Sequence, residues 1–288
     1  MLLIAAIFLL AIPFLAAANS AAVQSVFDPL VTQIQNMLSP ADDAFAPNET
    51  PTVVSGGISS LSSSGIRPEP TTFAAGQYHS LAIKTDGTLW AWGANQFGIT
   101  GLGTATGRTL VPRQVGTDNN WYSVSVAAEH SLGIRTDGTL WAWGINDGGR
   151  TGLGIISGNQ LVPRQIGSAT DWVSVFAGTS HGLAIKNDGT LWSWGNNSIG
   201  ATGLGTTTGV QSTPAQVGTA TDWTAASAGG HHSLAVRADG TLWAWGDRAN
   251  GRTGLSAITG AQTTPAQVGT ATDWAQVSAG WEHSLALK

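Results

Sequence analysis

The sequence predicts a mainly β protein: a small β-propeller-like array of four full 51-residue repeats plus a half repeat, preceded by a long N-terminal apolar α-helix. Three observations predict it. The phrase DGTLWAWG stands at 86–93, 137–144 and 239–246, with DGTLWSWG at 188–195. Asp86, Asp137, Asp188 and Asp239 keep one spacing of 51 residues, as do His79, His130, His181, His232 and His283, and Trp121, Trp172, Trp223 and Trp274. A fixed period of this length is the signature of stacked supersecondary units. Finally, residues 1–24, MLLIAAIFLLAIPFLAAANSAAVQ, are almost wholly apolar.

In chain order, residues 1–38 read as the helix. Val26, Leu30, Val31, Ile34 and Leu38 continue the apolar run at helical spacing, with bends expected at Pro13 and Pro29. Residues 39–70 are rich in Pro, Ser, Gly and Thr and read as an extended linker. Residues 71–288 hold the repeats, each with four strand candidates. In one unit these are WVSVFAG (172–178), HGLAIK (181–186), GTLWSWG (189–195) and an edge strand opening on proline, PAQVG (214–218). The Asp-Gly between the second and third predicts a type I′ hairpin turn. Four short strands per unit indicate propeller blades.

Residues two apart on a strand share a face. Trp90 and Trp92 therefore lie on one side and Leu89, Ala91 and Gly93 on the other, so neither face is polar. Both must be buried. The expectation is that Trp90, Trp92, Trp141, Trp143, Trp192, Trp194, Trp243 and Trp245 fill the gaps between blades, each bulky face meeting the small-residue face of the next. Stacking of exposed Trp on sugars or bases is the rival reading. Trp281 has no Trp counterpart in other repeats and is the one expected to be exposed. The half unit FAAGQYHSLAIK (73–84) resembles the last one, VSAGWEHSLALK (277–288). Four blades built from 86–288 would leave 73–84 as a surplus pair covering an edge.

The phrase AGxxHSLAxKxDGTLWAWG followed by PxQVG resembles the regulator-of-chromosome-condensation repeat over about 73–288. The resemblance implies a β-propeller, most often of seven blades. Seven units of this length would exceed the 288 residues present, TGLG replaces the usual GQLG turn, and no repeat carries an insertion. The protruding loop that nucleotide-exchange members use on a small GTPase therefore has no counterpart, and that activity does not carry over.

Composition narrows function. No cysteine means no thiolate nucleophile or Cys-based metal site, and a net charge of −5 argues against nucleic acid. No nucleophile elbow or phosphate loop occurs, and GLGTATG (101–107) has the wrong glycine spacing for a dinucleotide fingerprint. The five repeated histidines read as structural hydrogen-bonders, the Asp-Gly aspartates as turn residues, and Asp171, Asp222 and Asp273 as partners of local backbone. Calcium in the turns GANQFG, GINDGG, GNNSIG and GDRANG is an option with sparse oxygen ligands. The expectation is no enzyme, no cofactor and no metal.

The first basic residue is Arg67, so the apolar run lacks the basic flank of a signal peptide or anchor. A chain opening on such a helix resembles a type IV pilin-like subunit, although position 5 is Ala5 where bacterial pilins carry Glu. A helix apolar on all sides needs lipid or its own kind around it. The resemblance implies a structural subunit of an extracellular, cell-surface filament. Leu2, Leu3, Ile4, Ile7, Phe8, Leu9, Leu10, Phe14 and Leu15 would pack against copies of the same chain, after a membrane stage before assembly. The alternative is a secreted or membrane-anchored propeller module recognising a protein or glycan. Asn48 and Asn196 open glycosylation sequons, which suits either.

Overall fold

The computed structural model describes residues 71–288; the expected helix with its assembly residues, the linker and Asn48 lie outside the described residues. Four antiparallel four-stranded sheets follow one another. Blade 1 comprises β1 (Phe73–Ala75), β2 (His79–Ile83), β3 (Leu89–Ala94) and β4 (Arg108–Gln114). Blade 2 comprises β5 (Trp121–Val126), β6 (His130–Arg135), β7 (Leu140–Gly144) and β8 (Gln160–Gln165). Blade 3 comprises β9 (Trp172–Ala177), β10 (His181–Lys186), β11 (Leu191–Asn196) and β12 (Val210–Gln216). Blade 4 comprises β13 (Trp223–Ala228), β14 (His232–Arg237), β15 (Leu242–Asp247) and β16 (Ala261–Gln267). A two-stranded sheet, β17 (Gln276–Ala279) and β18 (Ser284–Leu287), ends the array.

The blades begin at Phe73, so the surplus pair is the C-terminal hairpin and not residues 73–84. Among the described residues, apolar side chains are exposed at both ends of the array. Leu110 on blade 1 is 86% exposed, and Leu285 and Leu287 on β18 are 62% and 54% exposed.

Each element of the repeated phrase has a task. The Asp-Gly turn is a three-residue loop rather than a type I′ turn: Gly87 N–H donates to Lys84 O and Lys84 N–H to Thr88 O. Only Gly87 takes a positive φ, +79°. Asp86 is held otherwise, accepting from the backbone N–H and the hydroxyl of Thr88 at 2.9 and 2.6 Å. A Cβ at Gly87 would stand 2.0 Å from Asn119 O, so the next repeat's backbone also requires glycine there. Thr88 Oγ1 accepts in turn from Trp90 Nε1, at 2.8 Å. The same Trp–Thr–Asp chain recurs through Trp141, Trp192 and Trp243. The threonine hydroxyl thus satisfies an indole and a carboxylate together, and these bonds hold the Asp86, Asp137, Asp188 and Asp239 carboxyls below the usual range.

The edge strands begin before the proline, not on it. Gly144 pairs with Gln160 and Ala142 with Arg164, so Pro163 falls in the interrupted stretch between them. Proline lacks the N–H a regular ladder requires, and a bulge is where it fits.

Candidate functional site

The structure separates the eight paired tryptophans into two kinds. Trp143, Trp194 and Trp245 are fully buried. Trp143 joins Trp121 and Val124 against Leu81, Leu89, Ala91 and Val115 of the preceding blade. Trp194 meets Leu132, Ile134, Leu140 and Ala142, and Trp245 meets Leu183, Leu191 and Val217. Two of their indole N–H groups reach back across the joint, Trp194 Nε1 donating to Arg150 O and Trp245 Nε1 to Ala201 O, both at 2.9 Å, while the buried Trp143 Nε1 finds no partner among the described residues. The TGLG turn makes room for them. A Cβ at Gly152 would stand 2.9 Å from the Trp194 ring, and at Gly203 2.7 Å from that of Trp245. Trp92 sits on the first described blade, without another blade before it among the described residues, and is only half-buried, as are Trp90, Trp141, Trp192 and Trp243.

The first Trp of each pair meets a cation. The Arg135 guanidinium lies 3.7 Å from the Trp141 ring centroid and 4.8 Å from that of Trp121; Arg237 bridges Trp243 and Trp223 likewise at 4.0 and 4.6 Å. Carboxylates hold these cations. Asp171 pairs with Lys186 at 3.2 Å, Asp222 with Arg237 at 3.6 Å and Asp273 with Lys288 at 3.0 Å. These aspartates therefore face side-chain cations, where local backbone was the expected partner.

The repeated histidines link neighbouring blades. His79 Nε2 lies 2.6 Å from Ser131 Oγ, His181 Nε2 2.9 Å from Ser233 Oγ and His232 Nε2 2.9 Å from Ser284 Oγ. Each serine sends its own proton to a carbonyl, Ser131 to Ile99 O and Ser233 to Ala201 O. The serine oxygen is left to accept, so the imidazole donates from Nε2. A His–Ser pair suggests a hydrolase, but Ser131 and Ser233 are fully buried and their protons are already committed to carbonyls. His130 breaks the ladder: the corresponding position is Gly182, and neither ring nitrogen has a partner.

The calcium candidates are occupied by their own turns. Asn95 Oδ1 accepts from the Thr100 hydroxyl and Asn146 Oδ1 from that of Thr151, both at 2.5 Å. Asn196, the second sequon residue, ends β11, is half-buried, and accepts from the Ser198 N–H.

The remaining candidate is a funnel of about 280 Å³ where the turns joining the first two strands of each sheet converge. Its wall repeats small residues: Ala75-Gly76, Val126-Ala127, Ala177-Gly178, Ala228-Gly229 and Ala279-Gly280. Beyond the wall the repeats diverge, to Gln77-Tyr78, Ala128-Glu129, Thr179-Ser180, Gly230-His231 and Trp281-Glu282. Trp281 is 53% exposed and meets the His231 ring edge-on at 6.0 Å. Glu129 pairs with Arg150 at 2.9 Å, and Arg252 lies 3.6 Å from Glu282. Sequence reasoning singled out Trp281 alone here. The signal for the rest was available as divergence within an otherwise unvarying repeat.

Serially stacked four-stranded blades whose inner turns line one funnel define a propeller-type repeat scaffold. The regulator of chromosome condensation (RCC1) repeat matches residues 86–134, 137–185, 188–236 and 239–287, and the chain belongs to that repeat family. It is 33% identical over 189 residues to the ultraviolet-B receptor UVR8 of Arabidopsis thaliana, covering 63% of this chain and 42% of that protein. It is 32% identical over 191 residues to the probable E3 ubiquitin-protein ligase HERC6 of Homo sapiens, covering 64% and 19%. The crystal structure of Prp20p from Saccharomyces cerevisiae, described with its binding to Gsp1p and histones, superposes with a TM-score of 0.67 at 23% identity, covering 74% of this chain and 54% of that one. The chain thus spans less than half the length of these curated relatives.

Proposed function

We propose that this chain is a non-catalytic display protein whose repeat domain recognises a partner protein at the funnel rim. One observation carries the reading. Where Asp, Thr, Trp and Gly recur unchanged to build the blades, the five rim dipeptides all differ, and their first residues, Gln77, Ala128, Thr179, Gly230 and Trp281, line one mouth. Tyr, Trp and Arg are the residues that carry most binding energy at protein interfaces, and Trp281 stands 53% exposed at this mouth. Panning a peptide library against the full chain tests it. Selected peptides should bind at least tenfold more weakly to Trp281→Ala, a loss of about 1.4 kcal/mol or more. Ligands indifferent to Trp281→Ala and Tyr78→Ala would sink the reading; hits on a glycan array lost with Trp281→Ala would move it from protein to sugar.

The display half of the proposal rests on residues 1–38. A largely apolar segment that gathers copies of the chain would present many rims on one particle. Leu9→Asp or Phe14→Asp would place an unpaired charge in that packing, at a cost of several kcal/mol per subunit. Extracellular particles seen by electron microscopy should vanish while the repeat domain retains its circular dichroism. Normal filaments in either variant would remove 1–38 from the assembly core.

A further inference from the structure

Resting on the reading that a partner protein docks at the rim, we infer that the funnel takes up one uncharged, apolar side chain, aliphatic or phenyl, presented by a loop of that partner. The funnel encloses about 280 Å³, and no charged side chain lines it among the described residues. Gln77 and Thr179 supply polar side chains at its mouth, and Trp281 supplies the aromatic one. Glu129 and Glu282, each next in sequence to a lining residue, pair instead with Arg150 at 2.9 Å and Arg252 at 3.6 Å.

The wall has little left to offer a polar group. The N–H groups of Gly76, Ala127, Gly178, Gly229 and Gly280 all donate to the carbonyl of the histidine three residues on, at 2.8–3.0 Å. The Ala177 and Ala279 N–H groups donate to Ser125 and Ser227 Oγ, both at 2.9 Å. The Gly229 and Gly280 carbonyls accept from the Thr179 and Gly230 N–H groups, both at 3.1 Å. Imidazoles pack directly behind the glycines: a Cβ at Gly178 would stand 2.7 Å from the His181 ring, and one at Gly229 2.6 Å from that of His232. Burial lowers these two pKa values to about 3 and about 4, so both rings are neutral at pH 7.

Such a wall selects by what it cannot satisfy. An ionised group drawn into it would shed water and meet neither a counter-charge nor a free wall N–H, which makes its desolvation unfavourable. An apolar group suffers no such loss, and it displaces water that few wall groups hold. A volume of about 150 Å³ is enough for an apolar cavity to hold benzene, so the funnel has room for a leucine, isoleucine, methionine or phenylalanine side chain. Trp281, 53% exposed, stands at the mouth to shield the inserted group from water. Gln77 and Thr179 leave hydrogen-bonding partners there for the main chain that carries it. A buried apolar anchor ringed by contacts that exclude water is how protein interfaces concentrate their binding energy.

The test uses the full 288-residue chain with the indole nitrogens of its 13 tryptophans isotopically labelled for nuclear magnetic resonance. The Trp281 signal is identified by its loss in Trp281→Phe. Toluene and isopentanol, which stand in for phenylalanine and leucine side chains, should shift that signal saturably. Acetate and ethylammonium at the same concentration should not. Ala128→Phe, which crowds the mouth from blade 2, should weaken the apparent affinity for both apolar probes at least tenfold. A Trp281 signal that ignores the apolar probes, follows the two ions equally or responds unchanged in Ala128→Phe overturns the inference, and Trp281-dependent peptides would still uphold the rim. Peptides indifferent to Trp281→Ala remove the rim reading itself, whatever the small probes do. The probe arm leaves the chain unaltered, so misfolding of Ala128→Phe cannot mask the result.

Discussion

Trp194→Ala should destabilise the repeat domain by about 3–5 kcal/mol, the range for deleting a large core aromatic, whereas Trp92→Ala should cost about 1 kcal/mol. The two residues hold the same place in the repeated phrase and differ only in their neighbours. Trp194 is fully buried between blades 2 and 3, in the cluster that contains Leu132, Ile134, Leu140 and Ala142. Its removal also leaves Arg150 O without the indole that reaches it at 2.9 Å. A half-buried carbonyl stripped of its donor loses the net worth of that bond, about 1 kcal/mol. Trp92 is half-buried, with no blade on its outer side among the described residues, so truncation exposes little that was dry. Stability in such arrays is close to a sum of unit and nearest-neighbour terms. Cutting the joint between blades 2 and 3 should therefore split the array, and urea unfolding of Trp194→Ala should broaden or show two steps. Equal midpoints for the two variants would show that the tryptophans do not act as joints.

The same pair shows how far the sequence alone could go. The 51-residue period and the two-residue strand period together placed Leu89 and Ala91 opposite the tryptophans, and the packed joints follow that rule at Trp143, Trp194 and Trp245. Periodicity carries that information because a strand has only two faces. It carries none about which half unit is surplus, since 73–84 and 277–288 are nearly the same text; pairing partners decide that, and β1 and β2 join β3 while β18 has no third strand. Asp-Gly suited a type I′ turn until the Asp86 carboxylate took the Thr88 N–H and hydroxyl, a bond that competes with a left-handed aspartate. The His–Ser ladder links residues 52 apart, so no local window reveals it, although the dipeptide His-Ser at 79, 130, 232 and 283, broken at His181-Gly182, is its visible trace. The rim was missed for the opposite reason: attention to what repeats passes over the positions that do not.

Acidification should unfold the repeat domain well above the range where its carboxylates titrate. Burial lowers the His79 and His232 pKa to about 4 and that of His181 to about 3, and holds His130 well below its ordinary value; Arg150 adds to the effect at His130 and Arg252 at His232. In the unfolded chain each returns to about 6.5. The sign follows from proton counts. Above pH 6.5 neither state binds protons at these sites and the histidines add no pH dependence. Between 6.5 and the folded values the unfolded chain binds protons that the folded chain excludes, so stability falls by about 1.4 kcal/mol per pH unit for each histidine. At pH 5 that is about 2 kcal/mol apiece for His79, His181 and His232, which together rival the lower end of the 5–15 kcal/mol that holds a typical domain, and His130 acts in the same direction. Asp86, Asp137, Asp188 and Asp239 are depressed by their threonines, so they stabilise above about 3.8 and lose that contribution only below it. The histidines therefore act first. Urea midpoints read by tryptophan fluorescence should drop steeply from pH 6.5 to 5, and His181→Gln should flatten the slope while costing stability at pH 7.5, since glutamine keeps a donor for Ser233 Oγ but not the shape of the ring. A midpoint that holds level down to pH 4.5 would mean that the buried imidazoles accept protons in place, and the ladder would then be a set of charged bonds rather than neutral ones.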